Sequence, residues 1–394
     1  MKMMIRNRPA STSLAFEQGP IRPPSEARSL LLRVTRNCNW NQCLFCTTYR
    51  GRGKFERRTV DEVKADIDTV VEIINEAKAL SWRMGFSGQI TGDVAQKFFD
   101  QPGLDYSFVS VIAWLYYGTR AVFLQDANNL ILKADYLAEM LNYLNEKIPD
   151  ISRITTYARS QTAARKSLDD LKKMRKAGLG RVHIGLESGY DPVLKYMKKG
   201  VTTEAHITGG RKIIEAGMEL SEYYMPGLGG QAMWKEHAIE SARVLNAINP
   251  HFIRLRTLHV RDSLPLYQRV KSGEFQLRTP TETVEEIKLF VEHLEGITSY
   301  LVSDHIGNLL QDVEGQFPQD KKRILEAIDR YLDLDEEEQL HYQVGRVMGL
   351  YAGVSDMLKP TLKDHVDQTV RKLKTKYNGR VEDVLINLHD HLMR

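Results

Sequence analysis

The chain has 394 residues and a formal net charge of +4, from 55 basic and 51 acidic side chains. That length allows two to three domains, or one large α/β barrel with an extension. So small a charge excess gives no electrostatic case for a nucleic-acid or membrane-surface protein.

Apolar content of 42% and charged content of 27% are ordinary for a globular chain. The longest largely apolar run, 108–117, is too short to span a bilayer and reads as a buried helix or strand. Lys2, Arg6 and Arg8 are not followed by an apolar leader segment, so the cytoplasm is the expected compartment.

In chain order, residues 1–28 read as an irregular lead-in, because Pro20, Pro23 and Pro24 forbid a helix. Residues 30–35 form an apolar run of strand length, suited to burial on both faces. Thr59 and Glu62 make a capping box, followed by Val63, Ile67, Val70, Val71 and Ile74 at helical spacing. The stretch 80–118, with Gly85, Gly88, Thr91 and Gly92, reads as an inserted excursion.

Strand and helix then alternate. Strands are expected at 121–124, 153–157, 182–186, 219–225 and 252–258. Helices are expected at 134–148, 167–178, 204–216 and 235–245. The second of these opens on Ser167 with Asp170 as a second capping box, and the helix stops at Gly178. Six strands with helical crossovers predict an α/β fold with a parallel sheet, curled into a partial (β/α)6 barrel over 29–262. From 263 to 394 the pattern is mostly helical, with Thr283 and Glu286 as a further capping box and helices at 319–339 and 361–394.

Three cysteines, Cys38, Cys43 and Cys46, follow the first strand with C-x4-C-x2-C spacing. An odd number this close together is a poor disulfide framework. In a reducing compartment such a cluster holds metal or does redox chemistry. Three thiolates on one loop can hold three corners of a [4Fe–4S] cube and leave one iron open. Zinc, with histidine or water as a fourth ligand, is the competing metal, although its structural sites usually pair distant C-x2-C knuckles.

The spacing, with Phe45 before the last cysteine, resembles the radical SAM superfamily, although C-x3-C-x2-C is its commoner form. The resemblance implies a [4Fe–4S] cluster on the three cysteines and S-adenosylmethionine (SAM) as cosubstrate. A 5′-deoxyadenosyl radical would then abstract hydrogen from an unknown, small-molecule substrate. It also implies an electron donor such as ferredoxin or flavodoxin, and no membrane or nucleic-acid partner.

Carried over residue by residue, Gln125 and Asp126 fall where relatives hold the SAM amino group. Glu187 falls at the ribose position, and Lys199 falls where an arginine pairs with the SAM carboxylate. Arg159 is a second candidate for that carboxylate, and Gly227 and Gly229 fall against the adenine. The plainer readings stay open beside these. Asp126 or Asn128 caps the next helix, and Lys199 and Arg159 are solvated helix-end charges. His305 and Tyr157 are candidates for handling a proton or touching substrate, as are Arg256, His259 and Tyr224. Arg22 to Glu26 and Ser303-Asp304-His305 together resemble a group of uncharacterised bacterial radical SAM proteins. A haem- or cluster-trafficking protein on the same fold and a zinc-binding interaction protein are the rival functions. The lack of a fourth cysteine excludes a second all-cysteine cluster.

Overall fold

The computed structural model of the chain describes residues 14–377. Lys2, Arg6, Arg8 and the end of the expected last helix lie outside that range.

Ten strands are described: β1 Leu30–Arg33, β2 Thr35–Arg36, β3 Glu56–Arg57, β4 Ala121–Gln125, β5 Arg153–Ala158, β6 Leu179–Glu187, β7 Glu219–Tyr224, β8 Phe252–Leu255, β9 Tyr300–Val302 and β10 Gly315–Gln316. One sheet runs in the order β1-β4-β5-β6-β7-β8-β9-β10. Every neighbouring pair up to β8–β9 is parallel, and β9–β10 is antiparallel. The sequence reading stopped at six strands. The structure adds β9 as a seventh parallel strand, because Tyr300–Val302 is too short to stand out within helical sequence. The sheet therefore continues past residue 262 into the region expected to be helical.

Alternation along the strands sorts the side chains. Leu30, Leu32, Val122, Leu124, Ile184, Leu186, Leu220, Ile253 and Leu255 face the helices in the main core. Each such side chain contributes roughly 1.5–3 kcal/mol on burial. Truncating fully buried Ile184 to alanine would cost about 2–5 kcal/mol. Leu31, Phe123, Tyr157 and Tyr223 face the other way, in a small aromatic layer with Ile21. On this inner face Tyr157 and Tyr223 pack against His183, with ring centroids at 5.4 and 5.6 Å.

The helices follow their caps. Thr59 and Glu62 bond reciprocally at the head of helix Val60–Arg83. The expected excursion at 80–118 is instead helical, at Gly92–Phe99 and Tyr106–Tyr117. Thr91 and Asp105 turn out to be N-caps, and Gly118 ends the second helix at φ 64°. Ser167 caps helix Leu168–Lys176 by accepting from Asp170 N–H, but the return bond of a capping box is not made.

Residues 14–28 are no loose lead-in. Phe16 is buried in the core, and Ile21 joins the inner aromatic layer. Glu26 is fully buried, accepts from Ser29 at 2.6 Å, and pairs with Arg153 and His183. Its carboxyl sits below the ordinary value. Burial works against that, but the bonds from His183 and Ser29 and the charge of Arg153 outweigh it.

Candidate functional site

β2 and β3 pair antiparallel, Thr35 with Arg57 and Arg36 with Glu56. They close a loop, 37–55, that carries all three cysteines just beyond the carboxyl end of β1. Asn37 opens the loop in the left-handed region, φ 68°, and its amide donates to the carbonyls of Arg52 and Lys54. Arg50 binds the carbonyls of Cys43 and Cys46. Asn41 N–H donates to Cys38 Sγ at 3.3 Å. The three thiols are free and partly exposed.

Contacts from distant helices and turns hold this loop. Leu44 N–H donates to Met197 O, and Leu266 N–H donates to Leu44 O. Trp40 Nε1 donates to Lys198 O at 2.7 Å. Asn128 bridges the loop to the end of β5: its amide donates to Asn39 and Thr162 and accepts from Arg159 N–H. Asn128 therefore makes no helix cap, and the 3-10 turn Asn129–Ile131 has no side-chain cap at all. Buried Asn129 braces the same region. It donates to Leu124 O, Gln125 O and Thr156 and accepts from Thr35. Sequence reasoning missed Asn129, since one asparagine beside another carries no pattern.

Beside the thiols stand two cations. Lys199 Nζ lies 3.0 Å from Glu187 Oε1 and 5.7 Å from the Phe45 ring centroid. Arg159 donates to the carbonyls of Lys199 and Gly200 and lies over Trp40. Neither is a solvated helix-end charge. Burial alone would lower Lys199, but Glu187 and Cys43 hold its ammonium above the ordinary value. Burial raises the Cys43 thiol, against the pull of Lys199 and Arg159. Glu187 ends β6 at φ 63° and Asp126 follows β4 at φ 76°. Such conformations cost about 1–3 kcal/mol each and persist only where surroundings enforce them.

Several expected roles change. Gln125 accepts from Gly19 N–H and donates to the carbonyls of Gly19 and Ile21, so its amide is spent on fastening residues 19–21. Asp126 is fully buried and accepts from Arg33 at 2.6 Å and from Asn37 N–H at 3.1 Å. Oδ2 thus ties the loop to β1, while Oδ1 is buried with no hydrogen-bond partner among the described residues. Gly227 N–H donates to Glu286, and a Cβ on Gly229 would meet Met233 O at 2.8 Å. These glycines pack against helices Gly230–Ile248 and Pro280–Glu292. Tyr224 lies on the helix face, stacked on Phe290 and bonded to Glu286, away from the inner layer.

The inner face below the loop brings distant segments together. Ser25 Oγ is 3.5 Å from His183 Nε2. Arg254 bonds Ser221 and pairs with Asp304, which lies just past β9. His305 Nδ1 accepts from Gly307 N–H, and His259 Nε2 is 3.1 Å from Gly307 O. The two motifs singled out at opposite ends of the chain thus both turn toward this face. Tyr157 Oη is 3.5 Å from Tyr223 Oη. Buried Glu222, on β7, also escaped sequence reasoning. Among the described residues both its oxygens lack a hydrogen-bond partner, and burial pushes its carboxyl well above the ordinary value.

The donor set suits an iron–sulfur cube. Three thiols outside any disulfide share one braced loop, beside cations that offset the charge of thiolates. Among the described residues no three His, Cys, Asp or Glu side chains are gathered for a single metal ion.

A mostly parallel α/β sheet with a thiol loop at its carboxyl end defines a protein built around a bound redox cofactor. Residues 110–242 match the model of the Radical SAM superfamily, and the chain carries a domain of that family, whose members use a [4Fe–4S] cluster and SAM. The cysteine loop lies before the matched stretch.

The tRNA uridine(34) acetyltransferase of Methanocaldococcus infernus is 27% identical over 119 residues, 30% of this chain and 22% of the relative. The heme chaperone HemW of Bacillus subtilis is 23% identical over 189 residues, 47% of this chain and 49% of the relative. The chain thus spans under a quarter of one relative and about half of the other. Among solved structures, methylornithine synthase (PylB) is similar with a TM-score of 0.42 and 14% identity, covering 71% of this chain and 66% of that one.

Proposed function

We propose that the chain is an enzyme that reductively cleaves SAM and uses the resulting radical on a small-molecule substrate. The observation that carries this is the loop of Cys38, Cys43 and Cys46, closed by β2 and β3 and flanked by Lys199 and Arg159, on a radical SAM domain. Cys38, Cys43 and Cys46 would hold a [4Fe–4S] cluster, which when reduced would supply the electron for cleaving SAM to methionine and a 5′-deoxyadenosyl radical.

The chain's own residues bind and orient. Lys199 and Arg159 offer positive charge to the SAM carboxylate, Lys199 as a point charge and Arg159 as a fork. Glu187, positioned by Lys199, accepts from ribose hydroxyls. Phe45 provides an apolar wall beside Lys199. Tyr157, on the inner face, contacts the substrate. His305 holds a proton on Nε2, because its Nδ1 accepts from Gly307. Residues 29–262 with β9 form the catalytic unit, and the helices after 303 help cover it.

Arg52 and Lys54 line a hollow beside Asn37, with Arg33, Arg36 and Glu56 already ion-paired there, and these two cations suit an acidic electron donor of the ferredoxin or flavodoxin kind. Among the described residues no helix is long and apolar enough to cross a membrane. Free thiols and a reduced cluster suit the cytoplasm.

The test is to reconstitute the protein anaerobically with iron and sulfide, reduce it with dithionite, and assay SAM cleavage. Release of 5′-deoxyadenosine is expected. A protein that holds the cluster and releases none is a carrier, and one that holds no cluster overturns the reading.

A further inference from the structure

The inner face of the sheet carries a row of cations. Arg33, Arg153, Arg181 and Arg254 project there from β1, β5, β6 and β8, on the same side as Leu31, Tyr157, His183 and Tyr223. Each has a carboxylate: Asp126 at 2.6 Å, Glu26 at 3.3 Å, Glu219 at 2.8 Å and Asp304 at 2.9 Å respectively. Arg256 continues the register of Arg254, two residues beyond it and just past the end of β8. Its guanidinium stands over the Tyr223 ring, 5.6 Å from the centroid, and lies near enough to the Tyr157 hydroxyl for the two to act on each other. Among the described residues no carboxylate forms an ion pair with it. Glu187 is the nearest acid to influence it and is already paired with Lys199.

A half-buried guanidinium over an aromatic ring and without a counter-ion can take an anion from outside, where four neighbouring arginines already have theirs. The place is the carboxyl end of the sheet, below the cysteine loop, where parallel α/β sheets bind their ligands. The planar fork of arginine matches a carboxylate in two parallel bonds, and the hydroxyl of Tyr157 beside it can add a third. We propose that Arg256, with Tyr157, grips a carboxylate of the substrate. This rests on the reading of the inner face as the substrate site, and it narrows the substrate to carboxylic acids.

Isothermal titration calorimetry of the anaerobically reconstituted chain with benzoate, succinate and inorganic phosphate tests it without SAM or turnover. At least one of the two carboxylates is expected to bind the wild type, roughly tenfold or more tighter than R256Q. R256K, which keeps charge but loses the fork, is expected to fall between them. If R256Q fails to fold by circular dichroism, R256K against wild type supplies the comparison. Equal binding of both carboxylates to wild type and variant, no binding of either to the wild type, or dependence on Arg256 for phosphate alone overturns the proposal. Because no SAM is present, a wild type that releases no 5′-deoxyadenosine refutes the catalytic reading and leaves this measurement standing.

Discussion

Lys199 and Glu187 form an ion pair, Nζ to Oε1 at 3.0 Å, between the end of β6 and the turn after helix Asp191–Tyr196. Both side chains are largely buried, 13% and 12% exposed, and Lys199 also acts on Cys43. The pair therefore couples two candidate SAM contacts to one cluster ligand.

For K199A we expect SAM affinity to drop roughly tenfold or more, with iron content retained. Anaerobic calorimetry with SAM measures this. Removing one partner strands the other charge, so the double variant K199M/E187Q separates lost stability from lost binding. SAM affinity equal to wild type in both would assign the pair a purely structural task.

Replacing Cys38, Cys43 or Cys46 singly by alanine is expected to abolish stable cluster binding, read as iron and sulfide per chain. The apo-protein should melt within a few degrees of wild type, because the partly exposed thiols contribute little to packing. Zinc without sulfide in the wild type would instead favour the single-metal reading.

Glu286 is buried beneath Tyr224 and Gly227, and burial raises its carboxyl to about 7. Its folded value lies above the ordinary 4.5, so its stabilising contribution is whole below pH 4.5 and is lost as pH rises through about 7. The shift corresponds to on the order of 3 kcal/mol. E286Q should therefore gain stability relative to wild type across that window. His237, 3.5 Å away and lowered to about 4, titrates in the opposite sense, so the difference between the two proteins in urea melts is the quantity to follow. A difference independent of pH would refute the assignment.

Gly200 sits at φ 67°, and a Cβ there would come within 2.2 Å of the Trp40 ring. G200A should cost roughly 1–3 kcal/mol from backbone strain and the displaced indole. Since Trp40 anchors the cysteine loop through Lys198 O, the reconstituted cluster should also be lost faster in air, followed by its visible absorbance. Unchanged cluster lifetime would show that the loop does not depend on this anchor.

Much of the fold was legible because strand and helix periodicity are local signals. The six expected strands and the helix at Thr59 stand where hydrophobic spacing and caps put them. The thiol loop was legible too, since a cluster needs its ligands close and one short loop supplies them. Asn129, Glu222 and β9 carry no local signal, and capping residues at 91, 105 and 118 looked like a loop because caps and turns use the same amino acids.

By itself the sequence determined the cofactor chemistry and the β-α rhythm, because ligand spacing and side-chain period are written within a few residues. Tertiary structure decided which polar groups are spent and which are open. Gln125 and Gly227 bond partners some 60 to 106 residues away, while among the described residues Asp126 Oδ1 has no hydrogen-bond partner and Arg256 no paired carboxylate. Partnership across the sheet depends on register and burial, and neither is set by neighbours in the chain.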